Sequence, residues 1–168
     1  MKPLIKVFNS IDSTMAFIEK HVSSLLFAAL FIVFIINVVF RYFFKAILWG
    51  HELSLLLFLW ITIFGCCYAN RTDENVKFDS VYLGGSEKRK YVFDIIGSVL
   101  VVSTFSISFF PSLDYIIFMN YEISDSLPLR KGMIFSVYLY FLISMIYQYS
   151  RKLIVSINRL VSISHRKV

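Results

Sequence analysis

Residues 22–40 read VSSLLFAALFIVFIINVVF, a stretch of 19 residues without a single charged side chain. A helix rises about 1.5 Å per residue, so about 20 mainly apolar residues cross the roughly 30 Å hydrocarbon core of a bilayer. The stretch therefore predicts a transmembrane helix, which places the neighbouring parts of the chain in or beside a membrane.

Three more stretches have a similar length and composition, and none carries a charged residue near its middle. The chain is 58% hydrophobic with a mean hydropathy of +0.71, more apolar side chain than a soluble domain of 168 residues buries. We predict an all-α, polytopic membrane protein that forms a single membrane domain over residues 1–168. The predicted transmembrane helices are about 22–44, 51–69, 91–111 and 132–150, the third ending at Pro111 because proline interrupts the helical hydrogen bonds.

The basic residues follow the predicted membrane boundaries. Thirteen of the 17 lysines and arginines lie in the N-terminal segment, the loop 70–90 and the tail 151–168. By the positive-inside rule these three segments, and with them both termini, are predicted to be cytoplasmic. The net charge of +6 is explained in this way, and with no recognisable motif we expect no nucleic-acid partner.

The first 20 residues form an amphipathic pattern. Apolar residues recur at spacings of three and four, namely Leu4, Phe8, Ile11, Met15 and Ile18. We predict an interfacial helix over 1–20 that anchors this face in membrane lipids. A soluble helix packed on a partner is the alternative. The basic tail 151–168 repeats the pattern more weakly.

Polar residues at the outer ends of the first two helices form a candidate clamp. Arg41 and Glu52 flank a short connection and lie at similar depth, where an ion pair between them would be stronger than in water. Asn37 lies one helical turn below Arg41. Trp49 belongs to an aromatic belt at the same rim. The four residues are predicted to fix the hairpin or to contact a partner subunit. Alternatively, Arg41 and Glu52 only extend their charges to the interface without a specific partner.

The remaining polar residues do not suggest catalysis. Cys66 and Cys67 are neighbours in one helix and point about 100° apart, so they are interpreted as packing residues rather than as a disulfide or metal site. Asp94 suits the N-terminus of its helix, where the dipole favours an acid. No catalytic, cofactor or metal site is predicted, and the chain is not expected to be an enzyme.

The hairpin resembles a known family. Residues 37–42 (NVVFRY), 49–53 (WGHEL) and 58–69 (FLWITIFGCCYA) resemble the DctQ-like small membrane subunit of the tripartite ATP-independent periplasmic (TRAP) transporters. The likeness continues into the cytoplasmic loop at Asn75 and Asp79, where Asn75 stands in place of a histidine common in the family.

The resemblance implies a role that the residues alone do not. It implies a small, non-transporting scaffold subunit of a sodium-coupled, secondary-active transporter in the bacterial inner membrane. The partners would be a large permease subunit, in a 1:1 heterodimer, and a periplasmic solute-binding protein. The imported solute would be an organic acid such as a C4-dicarboxylate or a sialic acid, and sodium would bind the large subunit rather than this chain.

Other functions are possible from the sequence. A stand-alone four-span carrier similar to the small multidrug exporters would need a carboxylate inside the membrane, and the stretches show none near their centres. An assembly factor of another membrane complex and a membrane enzyme are the further alternatives.

Overall fold

The computed structural model describes the backbone of residues 2–45, 47–72, 87–124 and 126–165, and within these ranges the side chains of 12–45, 47–72, 89–124 and 126–163. Four long helices account for most of this part of the chain. They are α1 (Lys2–Phe43), α2 (Leu48–Arg71), α3 (Glu87–Met119) and α4 (Lys131–His165).

All four helices are long and apolar enough to cross a membrane, which confirms the predicted four-helix, all-α membrane fold. The spanning segments are Asp12–Phe43, Leu48–Arg71, Arg89–Met119 and Lys131–Ile163. Each is longer than predicted from the sequence. The most apolar 18-residue window of α1 has a mean hydropathy of 2.7 and none of it is buried within the chain, so this surface requires lipid or another protein.

The helix ends differ from the predicted ones. No helix end separates the amphipathic segment 1–20 from the first span, because α1 is continuous from Lys2–Phe43. The tail likewise continues α4 as far as His165. The prediction that Pro111 ends the third helix is wrong, since α3 runs on to Met119. Proline removes one hydrogen bond from the helix, and this single loss does not stop the apolar segment after Pro111 from continuing the helix.

The chain divides into two compact units, whose boundaries fall inside α3 and α4. Unit 1 comprises Met1–Glu74 and Asp114–Phe141, and unit 2 comprises Asn75–Leu113 and Leu142–Val168. Unit 1 therefore holds α1, α2, the end of α3 and the beginning of α4. Unit 2 holds the rest of α3 and α4.

In unit 1, α1 and α2 pack along each other as an antiparallel hairpin. Their close approach near the turn depends on Gly50, which is buried beneath the amide group of Asn37: a Cβ at Gly50 would lie 2.7 Å from Asn37 Cγ. The Asn37 amide donates to Ser54 Oγ (3.3 Å), and Ser54 donates in turn to the Gly50 carbonyl (2.8 Å). This hydrogen-bonded contact ties the two helices together below the turn.

The first turn of α4 packs tightly on the end of α3, also within unit 1. Gly132 is buried, and a Cβ there would lie 2.8 Å from the Cα of Asn120 and 2.8 Å from the carbonyl oxygen of Ile116. Both are backbone atoms, which cannot rotate away. Glycine is therefore required at this position by the approach of two helix ends.

In unit 2, α3 and α4 are joined by an ion pair between Lys152 Nζ and Asp94 Oδ1 at 3.0 Å. The sequence had assigned Asp94 to the helix dipole alone. The structure gives this carboxylate a specific partner on the neighbouring helix, about six turns along α4 from its first residue.

Replacing Gly132 with alanine is expected to destabilise the chain by about 1–3 kcal/mol, the usual cost of forcing an extra methyl group into packed surroundings. The thermal unfolding midpoint of the detergent-purified chain measures the effect. Gly65→Ala is the matched control, because a Cβ at Gly65 meets no atom within 4 Å. Equal midpoints for the two variants would contradict the close approach at Gly132.

Candidate functional site

Two groups of polar side chains tie unit 1 together, one at each end of the α1–α2 hairpin. We call the first the loop anchor (Glu52, Ser124 and Ser126) and the second the arginine cluster (Asp12, Glu19, Arg71 and Tyr140). About 35 Å of helix separates Arg71 from the start of α2. The two groups therefore lie near opposite faces of the membrane.

The loop anchor holds the connection between α3 and α4 onto the beginning of α2. Glu52 accepts hydrogen bonds from Ser124 Oγ and from the backbone N–H of Ser126 (2.8 Å). Ser124 is buried although it lies in a loop. Hydrogen bonds to a charged acceptor are stronger than those between neutral groups, so one carboxylate fixes the position of the loop.

The loop itself is closed by local contacts. An isolated antiparallel bridge joins Ile123 to Arg130, and the backbone N–H of Lys131 donates to the Glu122 carbonyl at 2.9 Å. The side chains of Lys131 and Glu122 add an ion pair at 3.0 Å. These contacts hold the two ends of the loop together, and Glu52 binds the loop through Ser124 and Ser126.

The predicted clamp is only partly assembled by the structure. Asn37 does bond across the hairpin, to Ser54. Glu52, however, bonds to the α3–α4 loop, and within the described residues Arg41 forms no ion pair with it. Arg41 and Trp49 are exposed at the rim. Nearness in sequence favoured the pairing of Arg41 with Glu52, whereas the fold brings a loop more distant in sequence to the carboxylate.

The arginine cluster was not predicted from the sequence. Arg71, at the end of α2, makes a two-bond contact with Glu19 of α1: Nε donates to Oε2 at 3.0 Å and Nη2 donates to Oε1 at 2.9 Å. The third nitrogen, Nη1, donates to Asp12 Oδ1 at 2.7 Å. Tyr140 of α4 donates its hydroxyl to Glu19 Oε1 at 2.9 Å. Four side chains thus connect three helices.

These charges are withdrawn from solvent. The Glu19 side chain is 0% exposed and the Arg71 side chain is 7% exposed. Removing an ionised pair from water is costly, and the cost is recovered only when geometry and hydrogen bonds are good. The planar guanidinium meets that condition because its fork matches both oxygens of one carboxylate.

A signal for the cluster did exist in the sequence. Asp12 and Glu19 are seven residues apart, so they lie on one face of α1 and can both reach a single arginine. The positive-inside pattern accounted for Arg71 by its charge alone. What the sequence did not provide was the position of Tyr140, whose hydroxyl reaches Glu19 from another helix.

The other predicted site residues are either exposed or outside the described part of the chain. Met15 and Ile18 of the interfacial face are exposed. The side chains of Leu4, Phe8 and Ile11 lie outside the described residues, as do Asn75 and Asp79. Within the described residues, no three His, Cys, Asp or Glu side chains are grouped so that they could hold a metal ion.

Comparison with known proteins identifies the family. A family model described as "Tripartite ATP-independent periplasmic transporters, DctQ component" matches residues 30–159, well over half of the chain. The chain belongs to the DctQ family. It is therefore a multi-pass membrane component of a tripartite transporter, as the resemblance at the hairpin predicted. No curated protein matches the chain.

The matched region includes much of what the structure shows to be polar and packed. The loop anchor lies wholly inside residues 30–159, as do Arg71 and Tyr140. Asp12 and Glu19 lie before it. A component of a larger transporter works with partners, and the two polar groups show how this component holds its own helices in place.

Glu52→Ala is expected to release the α3–α4 loop, because Ser124 and Ser126 lose a charged acceptor worth about 1.5–3 kcal/mol per bond. Limited trypsin digestion of the detergent-purified chain should then cut faster after Arg130 and Lys131. Arg41→Ala is the control and should leave the rate unchanged. Equal acceleration by both variants would contradict the loop anchor and favour the pairing of Arg41 with Glu52.

Arg71→Met is expected to cost about 3–5 kcal/mol, because it leaves buried carboxylates without their positive partner. Arg71→Lys should also destabilise the chain, since an ammonium cannot make the two-bond contact. Thermal unfolding in detergent measures both, with the exposed Lys20→Met as control. Adding Glu19→Gln to Arg71→Met should recover part of the loss. Stability unchanged in Arg71→Met would refute the cluster.

Proposed function

We propose that this chain is the small, non-transporting scaffold subunit of a sodium-coupled TRAP transporter that imports organic acids such as C4-dicarboxylates or sialic acids. It pairs 1:1 with a large permease subunit and cooperates with a periplasmic solute-binding protein. The permease, rather than this chain, carries sodium and solute. No catalytic step is assigned to the chain.

The observation that carries the proposal is the set of hydrogen bonds that the buried Glu19 carboxylate accepts. Glu19 is fully buried, and buried ionisable groups in transporters often hold protons or ions, so its contacts distinguish a cargo site from a structural tie. Here one oxygen accepts from Arg71 and the other accepts from both Arg71 and Tyr140. A carboxylate held in this way supports a structural tie between helices better than a site that binds and releases cargo.

The outer surface supports the same role. Large apolar side chains are exposed along the described part of α1, including Leu25, Phe27 and Phe31. Lipid covers such a surface, and so does a larger membrane subunit. A subunit that is tied internally and apolar outside is suited to stay in place beside a moving partner.

The orientation follows from charge. With most lysines and arginines in the N-terminal segment, the loop 70–90 and the tail, both termini are proposed to be cytoplasmic in the bacterial inner membrane. The loop anchor would then face the periplasm, on the side of the solute-binding protein, and the arginine cluster would lie near the cytoplasmic face.

Co-expression with the large permease subunit of the same transporter should give a 1:1 complex that remains intact in detergent. Proteoliposomes with both subunits should take up the organic acid only with sodium and the solute-binding protein present. This chain alone should give no uptake. Failure to co-purify would refute the scaffold role, and uptake by this chain alone would favour the stand-alone carrier.

The Glu19→Gln variant distinguishes a scaffold subunit from a stand-alone carrier in one experiment. In a scaffold the variant lowers stability and complex yield, while each assembled complex keeps its sodium dependence. In a stand-alone carrier whose cargo site is Glu19, the variant would abolish coupling in protein that still folds. The measurement is uptake per mole of assembled complex, with Lys20→Met as the matched surface control.

A further inference from the structure

Unit 2 contains a groove of about 550 Å³ between the beginning of α3 and the last turns of α4. The groove is lined by Tyr91, Val155, Asn158, Arg159, Ser162 and Ile163. It belongs neither to the loop anchor nor to the arginine cluster, both of which lie in unit 1.

The lengths of α3 and α4 are consistent with a groove at the depth of lipid headgroups. About 42 Å of helix separates Tyr91 from Met119 along α3, and about 42 Å separates Arg159 from Lys131 along α4. The hydrocarbon core is roughly 30 Å thick and the bilayer with its headgroups is roughly 40–45 Å thick. Because the groove residues lie at the ends of the segments Arg89–Met119 and Lys131–Ile163, which are long enough to span, we expect the groove to meet the headgroup layer.

The polar side chains of the groove are hydrogen-bond donors. Among the residues that the structure describes, no carboxylate pairs with Arg159, and Asn158 and Ser162 make no side-chain bond. Lys152, two turns nearer the membrane centre, is already paired with Asp94. Arg89 and Lys90, just before Tyr91, add positive charge. The groove therefore offers donors and excess positive charge to an anion.

Its apolar side chains face the same space. Val155 and Ile163 line the groove beside the donors, and Tyr91 contributes an aromatic ring with a polar tip. A ligand that fits such a lining has an anionic group next to a hydrocarbon chain. An anionic phospholipid has this structure and is present at this depth in the membrane.

We propose that this groove binds an anionic phospholipid, with the headgroup phosphate on Arg159 and Asn158 and the upper acyl chain along Val155. Arginine suits a phosphate because its planar fork donates two parallel hydrogen bonds. The proposed lipid site does not depend on the solute that the transporter carries. The lipid site and the proposed function can therefore be tested separately.

The test uses the full chain, purified in detergent and titrated with dioleoyl phosphatidylglycerol in mixed micelles. A ligand that binds only the folded state raises the unfolding midpoint as its concentration exceeds its Kd. We expect phosphatidylglycerol to raise the midpoint, while dioleoyl phosphatidylcholine and inorganic phosphate have much smaller effects. An equal effect of phosphatidylcholine would overturn the role of charge, and an equal effect of inorganic phosphate would overturn the role of the lipid.

Variants locate the site. Arg159→Gln should weaken phosphatidylglycerol binding roughly tenfold or more, because it removes hydrogen bonds from a charged donor. Arg130→Gln, an exposed arginine outside unit 2, is the matched control and should bind as the unaltered chain does. Asn158 is also exposed, and Asn158→Ala is a second variant that should weaken phosphatidylglycerol binding less than Arg159→Gln does. Native mass spectrometry counts the bound lipids, and unchanged binding in Arg159→Gln and Asn158→Ala would refute the proposal.

Discussion

The two-bond contact between Arg71 and Glu19 is the interaction on which the arrangement of unit 1 depends. In lipid the hydrophobic effect does not select one helix partner over another, because an apolar helix face is equally well covered by acyl chains. The choice of helix partner must therefore come from shape complementarity and from hydrogen bonds. Arg71 and Glu19 form such hydrogen bonds between α1 and α2 at the end of the hairpin, and Tyr140 adds one from α4. Burying either charge without its partner is costly, which disfavours packings that separate Arg71 from Glu19.

The loop anchor completes this constraint at the opposite end. A carboxylate at the start of α2 holds the loop that leads into α4, and the buried Gly132 lets the first turn of α4 pack directly on the backbone of α3. Between the two ends, the indole of Trp60 donates to the Ile134 carbonyl at 3.1 Å. The polar groups of Glu19, Arg71 and Trp60 are thus used inside the chain. Large apolar side chains of α1 are exposed, as expected of a membrane component.

Unit 2 uses its charges differently. An ion pair between Asp94 and Lys152 joins α3 to α4, and basic and polar side chains beyond it line an open groove. In unit 1 the Arg71 guanidinium is buried between two carboxylates, whereas in unit 2 Arg159 is exposed in the groove. The same residue type is therefore buried and paired in one unit and exposed in a groove in the other.

The sequence by itself determined the four membrane-spanning helices and the family, because length, hydropathy and the order of short motifs are properties of neighbouring residues. It did not determine where helices end: Pro111 lies inside α3, and α1 continues through the segment that was expected to be a separate interfacial helix. Nor did it determine the partners of charged groups. Glu52 meets a residue 72 positions away and Arg71 meets one 52 positions away. Such pairings depend on which helix faces pack together, and only the tertiary structure decides that, because in an apolar chain many packings bury similar surface while few satisfy every buried charge.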